Sequence, residues 1–438
     1  MYYNHIKILS KLIFILGFSF IVLRPLKSSA QTNQHLISAL NNKLISIKTL
    51  SPDSDYTELE PLKEILKDKQ IIGLGEATHA TKEFYVFKHK LLEFLVKEMG
   101  FKTLVIESDF TGTQTMNDYV LYGKGSAWGA LQKTLFGVAA NQEFLNMVEW
   151  IKQYNLTKQF KDKVKFYGCD MNYGVNVGVP IKDALSKSKT QLSEDAGKGL
   201  DLLINYRYNA VSKEESNLMH IAVKELNNTK WNESVIPDMK LFKQYIRCME
   251  QLSDFADQYY MYDKDIFRDK YMAENCTWIY NYESNNKMIV WAHNLHIAKD
   301  VTKNKNLPMG YYLSQQFQDA YYAMGFGFNS GKLITNYIQP IVYNIPNVSI
   351  KNSSDYIFSQ CAVPNFILDF KSSSSDPFIA QFLNEKIHSR AIGAIYIPAQ
   401  QANGDDGTYQ KLIKMYDGII FINTTSAVTL LKSYARSQ

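Results

Sequence analysis

Several familiar signatures are missing from this chain of 438 residues. It has no Gly-x-Ser-x-Gly elbow to present a nucleophilic serine and no Gly-x4-Gly-Lys-[Ser/Thr] phosphate loop. A serine-hydrolase triad and a P-loop nucleotidase therefore both lose their usual signals. Its four cysteines, Cys169, Cys248, Cys276 and Cys361, follow no close-spaced metal or redox pattern. They could form at most two disulfides, and scattered buried thiols suit a chain of this size better. There is no internal repeat, and no low-complexity segment longer than the serine run at 372–375. Charge of one sign is scarce as well. The formal balance is +5, but Lys7, Lys11, Arg24 and Lys27 stand in the first thirty residues, which hold no acid; subtracting those four leaves +1. With no basic stretch interleaved with aromatics either, binding to nucleic acid or another polyanion is unsupported.

What is present is ample material for a core: 46% of residues are hydrophobic and 21% charged, as expected of one large globular domain or two. The first thirty residues read as an export signal. A basic start precedes the apolar run Leu12–Leu23, and Ser28-Ser29-Ala30 suit cleavage before Gln31. Twelve apolar residues are too few to span a bilayer comfortably, and no cysteine follows them for lipid attachment. The expectation is a signal peptide over 1–30 and release to the periplasm or outside the cell, with no stable membrane insertion after its removal. An uncleaved anchor is the alternative.

The mature chain alternates strand and helix at first. Apolar runs predict strands at 71–75, 102–107 and 164–168, with helices near 111–121 and 141–156. Between the first two strands, Phe84, Phe87, Leu91 and Leu95 form a stripe at helical spacing, ended by Gly100 where a C-cap glycine belongs. Strand, helix and strand with such short joints imply a βαβ unit and a parallel sheet. From 181 to 284 the composition turns to Lys, Glu, Asn and Tyr with helical periodicity, and Pro237 is the one strong breaker in its interior. Strand-like runs return at 287–292, 320–328, 364–369, 392–397 and 418–422. The expected fold is α/β, a central mainly parallel sheet flanked by helices, with a largely helical insertion or cap. Its α/β core would comprise 31–180 and 285–438, and the insertion 181–284.

Four of these strands finish on an acid or a histidine. Ile71–Leu74 leads into Gly75-Glu76-Ala77-Thr78-His79, the next strand into Glu107, the third into Asp170, and the run at 288–291 into His293 and His296. In open α/β sheets the crevice lies at the carboxyl ends of parallel strands, so these groups can converge there. Imidazole takes a proton near neutral pH, and a neighbouring carboxylate can orient it, which makes His79 with Glu76 a candidate base. A dinucleotide reading of the same turn would need glycine where Thr78 stands. A carboxylate emerging from a buried strand, such as Glu107, requires a cation or histidine nearby. Glu107 as a helix cap or partner of a buried arginine, and Asp170 as a loop-fixing residue, are the plainer alternatives. Asn294 could orient a histidine ring. His79, His293 and His296 with Glu107 would also make a zinc set, although His-x-x-His spacing is unspecific.

Taken in order, Gly73-Leu-Gly-Glu76-Ala-Thr-His79, Lys82-Glu83-Phe84, Glu98-Met99-Gly100-Phe101, Glu107, Arg268-Asp269-x-x-Met272-Ala273-x-Asn275, Trp291-Ala-His293-Asn294-x-His296 and Tyr416-Asp417-Gly-Ile-Ile-Phe resemble the erythromycin esterase family. The likeness runs from about 65 to 425 and implies an α/β fold with helical additions and a hydrolase cleft. In characterised members the chemistry is macrolide lactone hydrolysis, with the histidine matching His79 as base for water. The position matching Glu107 is linked to activity, and those matching His293 and His296 lie in the site.

The expected mechanism has His79 take a proton from water while Glu76 or Glu107 orients the ring or the water. Arg268 and Lys82 would stabilise the oxyanion, Asp170 and Asn294 would bind substrate, and His293 or His296 would give a proton to the leaving alkoxide. The expected partner is a small-molecule ester or lactone and no cofactor is required, a divalent metal such as zinc being the alternative. An exported enzyme meets its substrate outside the cytoplasm, so a general ester hydrolase is favoured over a macrolide-resistance enzyme. A non-catalytic or carbohydrate-binding exported protein related to exopolysaccharide synthesis is the reading from another class, and the 29 tyrosines would suit sugar stacking.

Overall fold

The computed structural model describes residues 29–134, 140–207, 210–257, 265–301, 307–335, 340–393, 396–399 and 406–431. The basic and apolar parts of the expected signal, within 1–28, lie outside the described residues, and a helix opens at Ser29 and runs to Asn41. Among the described residues no helix is long and apolar enough to cross a membrane.

Among the described residues nine strands form the central sheet. They are β1 (Ile45–Ser46), β2 (Ile71–Leu74), β3 (Thr103–Asp109), β4 (Lys165–Asp170), β5 (Met288–Trp291), β6 (Tyr321–Thr335), β7 (Ile341–Ile345), β8 (Asn365–Asp369) and, last in the chain, β11 (Gly418–Thr425). The remaining two, β9 (Lys386–Arg390) and β10 (Gly407–Lys411), pair antiparallel in a separate small sheet. The order in the large sheet is β1-β8-β11-β6-β2-β5-β3-β4, with β7 on the far part of β6. Every pairing from β11 through β4 is parallel, while β1, β7 and β8 attach antiparallel.

The central strands are continuous apolar runs because both faces of the sheet are covered. Alternate residues divide between two cores. Ile71, Val105, Tyr167 and Val290 join one, and Ile72, Leu104, Phe166 and Ile289 the other. The helices Lys82–Met99 and Gln142–Leu156 bury Phe84, Phe87, Leu91, Phe144 and Ile151 against the second face. Gly100 ends the first of these in the left-handed region, at φ 74°, a conformation that costs glycine little. On the opposite face lie the helices Gly174–Lys187, Glu194–Asn205, Lys213–Asn228, Met239–Asp257 and Asp265–Tyr282. Their apolar sides share one core with Val105 and Val290, so this stretch forms a layer of the same body.

The expected βαβ unit is present, with β2 and β3 parallel in one sheet; β5 lies between them, paired to β2 through Ile71–Met288 and to β3 through Thr103–Met288. One expectation is corrected. The described residues of 392–397 form no strand; the strand comes earlier, at Lys386–Arg390. Ile392 instead sends its N–H to the Ala77 carbonyl at 2.7 Å, so the apolar run supports the turn after β2.

Candidate active site

The contiguous parallel strands β2, β5, β3 and β4 all end on the same side of the sheet, and each contributes to one polar cluster. Gly75 leaves β2 where no side chain fits, since a Cβ there would lie 2.1 Å from the Asn294 Oδ1. That amide oxygen accepts the Phe326 N–H at 2.9 Å, and the amide nitrogen donates to the Phe326 carbonyl at 2.7 Å. Asn294 also donates its own N–H to the Glu76 carbonyl at 2.9 Å. It therefore stitches the turn after β5 to β2 and β6. Its side chain is engaged with backbone and orients no imidazole, in contrast to the sequence expectation of a substrate-binding or ring-orienting role.

Glu76 is buried at the end of β2, 1% exposed. One carboxylate oxygen is 2.5 Å from the His79 Nδ1; the other accepts from the Lys88 ammonium at 2.8 Å and from the Trp291 indole at 2.8 Å. Burial alone would push this carboxyl up, but the Lys88 charge and the His79 hydrogen bond hold it well below the usual carboxylate range. An ionised Glu76 accepts the Nδ1 proton of His79 and leaves Nε2 of a neutral ring as the basic nitrogen. The His79 side chain is 11% exposed.

The β3–β4 ladder shifts register between Ile106 and Asp109, and Glu107 sits in that irregularity. Such a bulge re-aims a side chain. One Glu107 oxygen accepts the His293 backbone N–H at 2.9 Å, while the other meets Arg268 at 3.0 Å and the His296 Nε2 at 3.2 Å. Burial would raise this carboxyl too, but the His296 and Arg268 charges keep it well below its ordinary value. Arg268, on the Asp265–Tyr282 helix, also grips Asp170 with two nitrogens at 2.6 and 3.1 Å. The next residue, Asp269, holds the His296 Nδ1 at 2.8 Å and the Met309 N–H at 2.8 Å. With a carboxylate at each ring nitrogen, His296 is an imidazolium: burial opposes its charge, but Asp269 and Glu107 raise it well above the usual histidine range.

His293 is different. It caps the short helix Asn294–Ile297, its Nδ1 accepting the Leu295 N–H at 3.3 Å. The proton of the neutral ring is therefore on Nε2. Burial, and then the neighbouring His79 and His296, push its pKa down to about 3, so the ring stays neutral across the working range. Nε2 is buried and has no hydrogen-bond partner among the described residues. The ring centroid lies 5.2 Å from that of His79. A neutral, fixed N–H donor without a partner thus stands beside a base whose Nε2 is available, an arrangement suited to holding a carbonyl oxygen while water is deprotonated.

Of the residues expected from sequence, His79, Glu76, Glu107, Asp170, Arg268, His293 and His296 come together. Lys82 does not: it is 46% exposed and faces Glu143 at 4.0 Å. The lysine at the centre is Lys88, which sequence reasoning passed over; its place on the stripe of Phe84, Phe87 and Leu91 was the available signal, a charge on an apolar helix face. Asp269 was also missed. Asp109, one strand residue across from Asp170, is a further buried carboxyl, pushed up to about 7 by burial with Asn176 and Gly112 opposing. Both His296 nitrogens and the Nδ1 atoms of His79 and His293 are engaged in hydrogen bonds or ion pairs. Among the described residues no three His, Cys, Asp or Glu side chains are grouped to hold a metal ion.

A family profile described as erythromycin esterase matches residues 96–425. Over 411 residues the chain is 25% identical to erythromycin esterase type II of Escherichia coli, an alignment covering 85% of this chain and 96% of that protein. A solved protein of Bacillus cereus superposes with a TM-score of 0.78 at 24% identity, covering 91% of this chain and 99% of the other. A variant of the erythromycin esterase EreC in its open conformation gives a TM-score of 0.66 at 15% identity, over 88% and 98% of the two chains. At these identities the two structures bear on the fold alone, a mainly parallel sheet flanked by helices.

Proposed function

The chain belongs to the erythromycin esterase family of hydrolases, and on that premise we propose that it is an exported hydrolase that cleaves a carboxylic ester or lactone by direct attack of water. The observation that carries the reading is the facing pair of histidines, one with its Nδ1 on Glu76 and the other with an unpartnered Nε2–H. His79 Nε2 takes a proton from water, and ionised Glu76 stabilises the imidazolium that forms. The hydroxide adds to the carbonyl carbon, whose oxygen gains the negative charge and accepts a hydrogen bond from the His293 Nε2–H. Collapse breaks the bond to the alkoxide, which takes the proton back from His79. This leaves an acid, an alcohol and a neutral His79. His293 serves as hydrogen-bond donor rather than proton source, since a neutral imidazole would have to become an anion to give its proton up. Arg268 and His296 hold Glu107 and Asp170 as the frame behind these two rings.

No metal has a step in this reading. Export rests on the basic and apolar residues of the first thirty positions. The test is hydrolysis by the purified chain, begun at Gln31, against a panel of uncharged esters, lactones and macrolides and of acylated polysaccharides, with and without chelator. Turnover that survives chelator supports the reading. Turnover abolished by chelator and restored by zinc overturns its metal-free chemistry, and no turnover with saturable glycan binding overturns hydrolysis.

A further inference from the structure

We propose that Lys88 is a positioning residue for His79: buried beneath Glu76, it fixes the ionisation of that carboxylate and, through it, which nitrogen of the His79 ring carries the proton. The inference rests on the hydrolase reading for its rate measurement, but its spectroscopic measurement needs no substrate.

Lys88 lies on the Lys82–Met99 helix with no exposure of its side chain. Its ammonium is 2.8 Å from Glu76, 4.1 Å from the centre of the Trp291 ring and 5.3 Å from that of Phe326. The charges facing it are Glu76 directly and Glu107 at longer range, and they oppose a burial effect that pushes its pKa down to about 8. Rings on one side and a carboxylate on the other suit an ammonium in the charged form. The other donors to Glu76 are an indole N–H and the His79 ring itself.

Remove the ammonium charge and the balance at Glu76 reverses. A carboxyl this deeply buried, left with an indole and an imidazole, favours the neutral form. A protonated Glu76 donates to His79 Nδ1 instead of accepting from it. The ring then carries its proton on Nε2, the atom that must be bare to take a proton from water. Lys88 never approaches the reacting atoms in this scheme. Its influence passes through Glu76 alone.

The experiment uses the full mature chain with His79 read by 15N NMR of the imidazole nitrogens, alongside the pH dependence of kcat/KM on any ester that the enzyme cleaves. Lys88→Gln keeps a hydrogen bond to Glu76 without the charge, Lys88→Met removes both, and Lys88→Arg keeps the charge. In the wild type the neutral His79 ring is expected in the Nδ1–H form. In Lys88→Gln and Lys88→Met the Nε2–H form should appear, with the acid limb of kcat/KM moved up by about one pH unit, equivalent to about tenfold in rate on that limb, and KM little changed. Lys88→Arg should restore both readouts. An unchanged tautomer and acid limb in a folded Lys88→Gln or Lys88→Met variant would overturn the proposal, as would an Lys88→Arg variant that shifts as far as they do. A tautomer change in a protein that turns over no ester would retain the positioning role and count against the hydrolase reading instead.

Discussion

The His79 and His293 rings lie 5.2 Å apart at 53°, and their Nδ1 partners favour opposite tautomers of the two neutral rings. His79 has Nδ1 on the Glu76 carboxylate, and His293 has Nδ1 on the Leu295 N–H. One ring thus offers a basic Nε2 and the other an Nε2–H. Acceptor and donor stand side by side at neighbouring strand ends, as hydrolysis by water requires.

Replacing Glu76 tests the support of the base. Glu76→Gln should lower kcat by about 10²-fold or more, with a smaller change in KM, because the imidazolium loses its counter-charge. It should also cost stability, of order 3–5 kcal/mol, since Lys88 stays buried without its partner. Steady-state kinetics and denaturant unfolding check the two effects. A stable and fully active Glu76→Gln enzyme would contradict the role assigned to this carboxylate.

His293 makes a signed prediction about pH. Its folded pKa, about 3, lies below the ordinary 6.5, so the unfolded chain binds its proton first as pH falls. The stability contributed by the neutral ring is full above 6.5 and declines between 6.5 and 3, by up to about 1.4 kcal/mol per pH unit. His296, with its raised value, acts in the opposite sense and loses stability as pH rises above 6.5. His293→Asn keeps a helix-capping oxygen. It should therefore flatten the loss between pH 6.5 and 5 in urea unfolding, while lowering kcat through loss of the oxyanion donor.

Gly75 and Asn294 should be energetically coupled. An alanine Cβ at 75 would meet Asn294 Oδ1 at 2.1 Å, and that amide is held by the Phe326 backbone. Gly75→Ala is expected to cost about 1–3 kcal/mol. In an Asn294→Ala background the added cost should shrink by at least about 0.5 kcal/mol. Thermal melts of the four proteins in the cycle measure the coupling, and strict additivity would deny the contact.

Arg268 joins the strand ends of β3 and β4 through Glu107 and Asp170. Arg268→Leu strands two buried carboxylates and should lower stability by about 3–5 kcal/mol, with Asp170→Asn recovering part of the loss. A double-mutant cycle by chemical denaturation checks this.

The convergence of β2, β3, β4 and β5 could be read from the chain because each is an apolar run stopped abruptly by an acid or histidine, and runs buried on both faces imply a parallel, covered sheet. Which strands touch was beyond reach. The insertion of β5 between β2 and β3 depends on a segment some 180 residues further along, and it is this step that puts His293 beside His79. Lys82 and Lys88 are hard to separate in a motif, and they differ in space by the helix face that each occupies. Asn294 looked available because its partners, Phe326 N–H and C=O, are backbone groups of a strand with no marker in its side chain. The run at 392–397 had strand composition, yet Ile392 spends its N–H on Ala77 in the turn that carries Glu76 and His79.

The most direct test is turnover by a folded His79→Asn variant on an ester or lactone that the wild type cleaves. Loss of the general base predicts a fall in kcat of about 10²–10⁴-fold with KM and unfolding midpoint little changed. A His79→Asn protein that hydrolyses the same substrate at the wild-type rate would contradict the account.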